Sequence, residues 1–378
     1  MLICGEPSGD QLGAQLMAAI RDLTGDTVSI TGVGGQAMER EGLKSLFPLD
    51  TMAVIGLREV VPAIPAILRR VRQATSFALE TRPDAVVLID SPDFTHRIAR
   101  ALKKADPSIR TVTYVAPQVW ATRAWRAKAM AQYFDLVLAL FPFEVPFFEK
   151  YGLKAVFVGH PVIERCKRMT GGDDLRARLG IAPDAPLVAM LPGSRTSEIR
   201  LMFPTFRRTV ELLAKKIPGL VTILPTVPHV AASVRAAAEG WPTPLHIIEN
   251  EADKFAAFDA AGVAFAASGT VTAEIALSRT PIVVFYILGG LTYALGSWLF
   301  NSRFFTLLNV LLDREAVPEF LQAEAKPEAM AAELETLFRD PAARARQIDA
   351  MKEFAQRLGE GEEPPSLRAA RVLLDFIK

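Results

Sequence analysis

Short, uninterrupted apolar runs recur along this chain, with segments of helical periodicity between them. Strands that are apolar on both faces are typical of parallel sheets covered by helices on both sides. The runs fall into two sets, so we predict an α/β protein of two doubly wound domains with a cleft between them. The predicted strands are Ala85–Ile89, Thr111–Val115, Leu136–Leu140, Ala155–Val158, Leu187–Leu191, Leu220–Leu224, Val263–Ala267 and Ile282–Tyr286, with a very short strand before Gly5.

Length and charge agree with this prediction and exclude some functions. A chain of 378 residues is long for one ordinary core and suits two domains. With 22% charged residues and a net charge of +1, the chain has no excess of basic charge for nucleic acid. Its two cysteines cannot form a disulfide framework, and no basic segment precedes an apolar stretch at the start, so we expect a cytoplasmic protein.

The stretch from Thr280 to Ser302 carries no charge and is long enough to span a bilayer. Its first part, Ile282–Tyr286, is β-branched and aromatic, and Gly289-Gly290 interrupts any helix. We therefore predict a buried strand, a turn and an apolar surface helix at Leu291–Phe300 rather than a membrane crossing.

The boundary between the two domains is predicted within "VGHPVIERCKRMTGGDD", where a polar, glycine-containing stretch follows a strand. This gives a first domain of residues 1–163 and a second of residues 164–354, with residues 355–378 packing back on the first. His160 lies in this linker and is interpreted as structural rather than catalytic.

Two corners of the second domain are candidates for phosphate binding. In "LPGSR", Gly193 lets the backbone approach a ligand, Ser194 can cap the next helix and Arg195 offers a fork to phosphate oxygens. An ordinary strand-to-helix turn explains this corner equally well. The second corner, "SGTVTAE", places small residues at a helix start and an acid one turn later. We assign nucleotide diphosphate binding to Gly193, Ser194, Arg195, Ser268, Gly269, Thr270 and Glu274, with Glu274 on the ribose.

Carboxylates mark the corners of the first domain. Glu6 follows the first strand in "GEPSGD", and Asp90 follows Ala85–Ile89 in "DSPDF". A carboxylate at the edge of a sheet, opposite a nucleotide, is placed to deprotonate an attacking hydroxyl. We predict Asp90 as the base and give Asp93 a structural task.

Nine short motifs together resemble those of the lipid-A-disaccharide synthase family. In order, they are "GEPSGD", "GVGGQAM", "DSPDF", "YVAPQVWA", "PFE", "VGHP", "LPGSR", "SGTVTAE" and "VPEFLQ", between positions 5 and 322. The resemblance implies two Rossmann-like domains of GT-B glycosyltransferase type. It also implies an enzyme that joins UDP-2,3-diacylglucosamine to 2,3-diacylglucosamine 1-phosphate with inversion, without a metal ion or cofactor.

Residue by residue, the resemblance implies that Asp90 is the base, Glu6 the acid of the first loop and Arg195 the diphosphate-binding arginine. The functional asparagine of the family falls on Asn309. This sequence departs from the family pattern at three positions, Thr122, Ile287 and Leu308, where tryptophan, arginine and proline are usual.

Acyl substrates need an apolar entry, and two segments are candidates for it, Ala53–Val71 and Leu291–Phe300. The first has apolar residues at helical spacing beside arginines, which suits either a helix at an anionic membrane surface or a core-facing helix with a solvated basic end. We therefore expect a peripheral protein at the inner face of the inner membrane, as a monomer or a homodimer. Acceptor or acyl contacts are assigned to Trp120, Arg123, Arg126, Ile64, Ile67 and Leu68, although a solvated helix face also explains the arginines.

Two other functions remain open from the sequence. A UDP-N-acetylglucosamine 2-epimerase needs the same nucleotide corners but no acyl surface. A membrane-docked nucleotide-sugar binder without catalysis needs the apolar helices but no base.

Overall fold

The computed structural model describes residues 1–49, 57–117, 125–165, 169–288 and 303–378, and only the backbone of residues 57–63 and 165. The chain divides into two compact units, one of Met1–Pro161 with Gly361–Lys378 and the other of Val162–Glu360. Each unit has its own parallel sheet. The chain is therefore an α/β protein of two Rossmann-like domains.

The sheet of the first unit has the strand order β2-β1-β3-β4-β5-β6. Its strands are β1 (Leu2–Cys4), β2 (Gly32–Val33), β3 (Val86–Ile89), β4 (Thr111–Tyr114), β5 (Leu136–Ala139) and β6 (Lys154–Phe157). Its helices are α1 (Pro7–Thr24), α2 (Gln36–Arg40), α3 (Leu57–Thr81), α4 (Pro92–Ala105), α5 (Trp125–Met130) and α6 (Val145–Glu149).

The sheet of the second unit has the order β12-β11-β10-β7-β8-β9. Its strands are β7 (Leu187–Leu191), β8 (Val221–Pro225), β9 (Leu245–Ile248), β10 (Val263–Ala267), β11 (Ile282–Tyr286) and β12 (Glu319–Leu321). The remaining helices are α7 (Val162–Arg165), α8 (Gly172–Leu179), α9 (Thr196–Ala214), α10 (Pro228–Ala237), α11 (Glu251–Ala260), α12 (Val271–Leu277), α13 (Leu307–Leu312), α14 (Pro327–Arg339), α15 (Pro341–Arg357) and α16 (Pro365–Ile377). Of these, α16 belongs to the first unit and packs against α1.

The predicted apolar runs all contain strands, with ends that differ by one residue at most. Three strands, β2, β9 and β12, were missed, and all three lie at sheet edges. Two of them are only two and three residues long, and β9 is half-buried over most of its length, so none forms a long apolar run.

The core of the second unit contains three phenylalanines in mutual contact, one each from α9, β10 and β11. The ring centroid of Phe206 lies 4.6 Å from those of Phe265 and Phe285, which lie 5.2 Å from each other. All three are fully buried, and this packing fixes α9 on the sheet. In the first unit Leu12, Leu16 and Ile20 of α1 are buried.

Leu23 of α1 is not buried with these three residues. Its side chain is 37% exposed. Helix α1 ends at Thr24, one residue later, so Leu23 lies in the last turn of the helix.

The uncharged stretch begins as predicted, with the buried strand β11. The predicted surface helix at Leu291–Phe300 lies outside the described residues. Among the helices of the described ranges, none is long and apolar enough to cross a membrane.

Candidate functional site

Each sheet contains one point at which the strand order reverses, and this point lies between β1 and β3 in one unit and between β7 and β10 in the other. In open α/β sheets, ligands bind outside the carboxyl ends of the strands at such a switch point. Cys4 pairs with Ile89, and Leu191 with Ala266, so the residues that follow each pair are neighbours. The predicted residues Glu6, Asp90, Arg195 and Ser268 all follow these four strands.

Asp90 sits in a tight corner between β3 and α4. The amide of Ser91 donates to its Oδ1 at 2.8 Å, and the hydroxyl of Ser8 donates to its Oδ2 at 3.1 Å. These bonds orient the carboxylate while leaving it half-buried. Asp90 and Ser91 have φ angles of 53° and 46°, which are uncommon for residues other than glycine. Backbone strain of this kind concentrates at functional sites.

The loop after β1 approaches this corner closely, which explains the first glycine of "GEPSGD". A Cβ on Gly5 would lie 2.7 Å from the Cβ of Ser91, too close for any other residue without movement of the corner. Glu6 is the residue before α1 and is exposed. The structure therefore brings Glu6 and the Asp90 corner together.

An apolar pocket of about 390 Å³ opens beside this corner. We call it the apolar pocket, and its described lining is Gly5, Glu6, Ile64, Ile67, Leu68, Ser91, Pro92, Asp93, Phe94 and Arg97. Ile64 and Leu68 are 44% and 38% exposed, which is unusual for large aliphatic side chains. Val71, by contrast, is buried in the core. Helix α3 thus has both a core-facing end and an exposed apolar part, and the predicted acyl-binding residues line one pocket with Glu6.

A basic pocket of about 220 Å³ lies along α4. We call it the basic pocket, and its described lining is Pro92, Asp93, His96, Arg97, Arg100, Trp125, Arg126 and Tyr133. Of the predicted acceptor residues, Arg126 is here, whereas Trp120 and Arg123 lie outside the described residues. Arg97 and Arg100 were not predicted from the sequence, although their i,i+3 spacing after "DSPDF" places them on one face of α4.

Burial, together with the charges of Arg100 and Arg126, lowers the pKa of His96 from 6.5 to about 4. In the unfolded chain His96 binds a proton near pH 6.5, whereas in the folded chain it binds one only near pH 4. The free energy of unfolding therefore decreases as the pH falls between these two values. At pH 5 we expect this single group to cost about 2 kcal/mol of unfolding free energy relative to pH 7.

Denaturant unfolding of the wild type and of His96→Asn at pH 7 and pH 5 measures this cost. Asparagine keeps a polar atom near Nδ1, which lies 3.2 Å from the Tyr133 hydroxyl in the wild type. In His96→Asn most of the difference in unfolding free energy between pH 7 and pH 5 should disappear. In His246→Asn, on the edge strand β9, that difference should remain. An equal difference in the wild type and His96→Asn would refute the assignment.

The corner after β7 is held by Glu198, on the first turn of α9. Its Oε2 accepts from the amides of Ser194 and Arg195 at 3.0 and 3.2 Å, and its Oε1 accepts from the Arg195 guanidinium at 2.8 Å. Gly193 has a φ of 109°, and a Cβ there would lie 2.4 Å from Glu198 Oε2. The residue preceding α9 is Arg195, so the expectation that Ser194 caps the helix was wrong. Glu198 takes the amides instead.

Two further side chains join this corner. The hydroxyl of Tyr286, at the end of β11, donates to Glu198 Oε1 at 3.0 Å. Burial and the Glu198 carboxylate raise the pKa of Tyr286 to about 12, so this hydroxyl keeps its proton at neutral pH. His229 Nε2 lies 2.8 Å from the Ser194 carbonyl. The sequence analysis identified neither Glu198 nor His229, although Glu198 lies three residues after Arg195, a spacing typical of helix starts.

The corner after β10 is open at its tip. Gly269 and Thr270 are exposed, and a Cβ on Gly269 would meet no atom within 4 Å. The Ser268 hydroxyl donates to the Phe305 carbonyl at 3.2 Å. Glu274 is buried and accepts from Lys254 Nζ at 3.0 Å, a partner that the sequence pattern did not indicate. In this structure the carboxylate is therefore already paired.

Asn309, predicted as functional, is completely buried on α13. Its Nδ2 donates to the Val317 carbonyl at 2.9 Å, and its Oδ1 accepts from the amides of Ala316 and Val317 at 2.7 and 3.0 Å. These bonds use the oxygen and one hydrogen of the amide group, and they fasten the loop before β12. Asn309 thus holds this loop in place, and its assignment as a functional residue stays a prediction.

Comparison with known proteins agrees with these features. The family model described as lipid-A-disaccharide synthetase matches residues 1–371. The chain is 46% identical over 376 residues to the lipid-A-disaccharide synthase of Rhodospirillum centenum, covering all of this chain and 94% of that protein. It is 44% identical over 379 residues to that of Paramagnetospirillum magneticum, covering all of this chain and 97% of that protein.

Solved structures share the fold at low sequence identity. A putative UDP-N-acetylglucosamine 2-epimerase from Listeria monocytogenes matches with a TM-score of 0.66 at 15% identity, over 99% of this chain and 95% of that one. MurG of Acinetobacter baumannii matches with a TM-score of 0.57 at 14% identity, over 100% of this chain and 98% of that one. At such identities the likeness concerns the fold alone.

Proposed function

The chain belongs to the lipid-A-disaccharide synthase family of hexosyltransferases, which act in lipid A biosynthesis, and from this premise we propose the reaction that it catalyses. It joins UDP-2,3-diacylglucosamine to 2,3-diacylglucosamine 1-phosphate, with inversion at the anomeric carbon and release of UDP. The observation that carries this proposal is the Asp90 corner, where an oriented carboxylate lies next to a pocket with exposed aliphatic side chains.

The reaction is a single displacement. The 6-hydroxyl of the acceptor attacks the anomeric carbon of the donor, its proton passes to the Asp90 carboxylate, and the bond to the diphosphate breaks with its electron pair on UDP. The amide of Ser91 and the hydroxyl of Ser8 both donate to the carboxylate, so they fix its orientation toward the acceptor hydroxyl.

Negative charge grows on the diphosphate as UDP leaves, and the corner of Gly193 to Arg195 stabilises it. In the free protein, Glu198 occupies the amides and the guanidinium that an anion would use. We propose that the diphosphate competes with Glu198 for Arg195, whose side chain is 61% exposed. Ser268, Gly269 and Thr270 lie on the neighbouring strand end and add contacts, and Glu274 with Lys254 positions the ribose.

Arg195→Gln tests this assignment of charge. We expect about a 10- to 100-fold weaker binding of UDP, because a charge-assisted bond to the diphosphate is lost. Arg208→Gln is the matched control, since Arg208 forms the same i,i+3 pair, with Glu211, farther along α9. Calorimetric titration with UDP measures both variants. Equal affinity of the two would remove Arg195 from the nucleotide site.

The proposed reaction itself is tested by incubating purified protein with both lipid substrates. Mass spectrometry should detect a tetra-acylated disaccharide phosphate, and UDP should appear in equal amount. Incubation with UDP-N-acetylglucosamine alone is the parallel arm, in which formation of the 2-epimer would establish the epimerase alternative. UDP binding without product in either arm would instead indicate a nucleotide-sugar binder without catalysis.

We further propose peripheral attachment to the inner face of the inner membrane. Ile64 and Leu68 on α3 are exposed beside the exposed residues Arg69 and Arg72, a combination that suits an anionic lipid surface. Sedimentation with vesicles that contain phosphatidylglycerol, compared with pure phosphatidylcholine, measures this attachment.

A further inference from the structure

We propose that the basic pocket binds the phosphate monoester of the acceptor lipid, through Arg97, Arg100 and Arg126. This inference rests on the proposed function, and it adds the residues that recognise one end of the acceptor. Arg97 and Arg100 were not among the residues that the sequence marked as functional.

Charge is the first support. The three guanidiniums outweigh Asp93, the one acid among the described lining residues. Within the described ranges, no carboxylate forms an ion pair with any of the three. Arg97 Nε donates to the Asp93 carbonyl, and Arg100 donates to the Tyr133 hydroxyl at 3.2 Å, so most of their donors remain available. A phosphate monoester carries close to two negative charges at neutral pH, which such a set of cations can match.

The second support is that two of these cations, Arg97 and Arg100, are held in place. The Arg100 guanidinium stacks on the Tyr133 ring, 4.6 Å from its centroid. The hydroxyl of Tyr133 also contacts His96. Arg97 is fixed to the preceding turn of α4 at 2.8 Å. Guanidiniums that are already oriented lose less freedom when they bind a phosphate.

The third support is position. Pro92, Asp93 and Arg97 line both the basic pocket and the apolar pocket, so the two pockets adjoin at the start of α4. Asp90 lies two residues before that start. One molecule with acyl chains and a phosphate therefore fits both pockets while its ring lies near the base. This arrangement selects a phosphorylated amphiphile over a neutral one.

The test uses two acceptors, 2,3-diacylglucosamine 1-phosphate and the same lipid without its phosphate, in mixed detergent micelles. For the Arg97→Gln/Arg100→Gln double variant we expect kcat/KM with the phosphorylated acceptor to fall by about 10- to 100-fold, mainly through KM. With the unphosphorylated acceptor, the variant and the wild type should behave alike. Arg100→Lys should recover part of the loss, since it restores charge without the planar fork.

Lys104→Gln is the matched control, because it removes a positive charge from an exposed position of the same helix. Equal losses with both acceptors would overturn the proposal, and so would a loss confined to kcat or an effect of Lys104→Gln as large as that of the arginines. Melting temperatures of all variants exclude a loss through unfolding.

Binding measurements keep the basic pocket testable apart from the reaction. If the wild type makes no disaccharide, the proposed function fails, and calorimetric binding of the two lipids still tests the pocket, with a preference for the phosphorylated lipid supporting it. Vesicles of phosphatidylglycerol address the second source of phosphate. Loss of vesicle binding by the double variant, together with unchanged discrimination between the two acceptors, would assign the pocket to lipid headgroups and overturn the proposal.

Discussion

Asp90→Asn should lower turnover by about 10²- to 10⁴-fold, the usual contribution of a general base. Asparagine has nearly the same shape: its Oδ1 can still accept from the Ser91 amide, and its Nδ2 can donate to the Ser8 hydroxyl oxygen, so the strained corner should survive. What it cannot do is take the proton of the acceptor hydroxyl. Steady-state kinetics with both lipid substrates measure the loss, and titration with UDP should give unchanged affinity because the nucleotide corners lie in the other unit.

Asp84→Asn is the matched control for this substitution. Asp84 lies before β3 and Asp90 directly after it, so the two acids lie at opposite ends of one strand. The proposed chemistry belongs to the carboxyl end, and the control should therefore keep near-normal turnover. Near-normal turnover of Asp90→Asn would mean that another group accepts the proton. A comparable loss in Asp84→Asn would indicate a defect of the strand rather than of the base.

The fold was largely predictable because central parallel strands are apolar on both faces. β7, β10 and β11 were predicted to the residue: β7 and β10 have proline, glycine or serine on both sides, and β11 directly follows Pro281. Edge strands such as β9 are covered on fewer sides, so their side chains need not be apolar and no pattern marks them.

The residues of the candidate site were predictable where a motif directly follows a strand. They were less predictable where the interacting side chain lies on a distant segment of the chain. Glu6 and the Asp90 corner follow neighbouring strands, so the sequence could place them together. Lys254, the partner of Glu274, lies on α11, twenty residues away, and only the folded chain shows the pair. For Asn309 the structure adds a role that the motif does not indicate. Its side chain hydrogen-bonds to the backbone and holds the loop before β12.

Other motif residues also bind the backbone. Glu144 of "PFE" is buried and accepts from the amides of Leu140 and Phe141, both at 3.1 Å. Asp10 of "GEPSGD" is buried and accepts from the amides of Gly35, Ala37 and Met38 at 2.7, 2.9 and 3.0 Å. A short motif can therefore mark a structural carboxylate as readily as a catalytic one, and the two kinds differ in what substitution should do.

Asp10→Asn should lower the free energy of unfolding by about 3–4 kcal/mol, because charge-assisted bonds are lost and the new amide group faces backbone donors. Its three acceptor bonds join α1 to the loop and helix "GGQAM", and an asparagine has one oxygen for them. Denaturant unfolding measures the change. Asp22→Asn, the same substitution at an exposed position of α1, is the control and should stay within about 0.5 kcal/mol of the wild type.

Asp10 of "GEPSGD" and Asp90 of "DSPDF" can then be distinguished by the property that each asparagine variant loses. At low temperature, where Asp10→Asn is still folded, its turnover should stay within about tenfold of the wild type, since no reacting atom has been removed. Asp90→Asn should show the reverse, with little loss of stability and a large loss of turnover. A stable but inactive Asp10→Asn would mean that Asp10 acts on the reaction, through the α1 start that carries Ser8, and that the division between a structural and a catalytic acid is wrong.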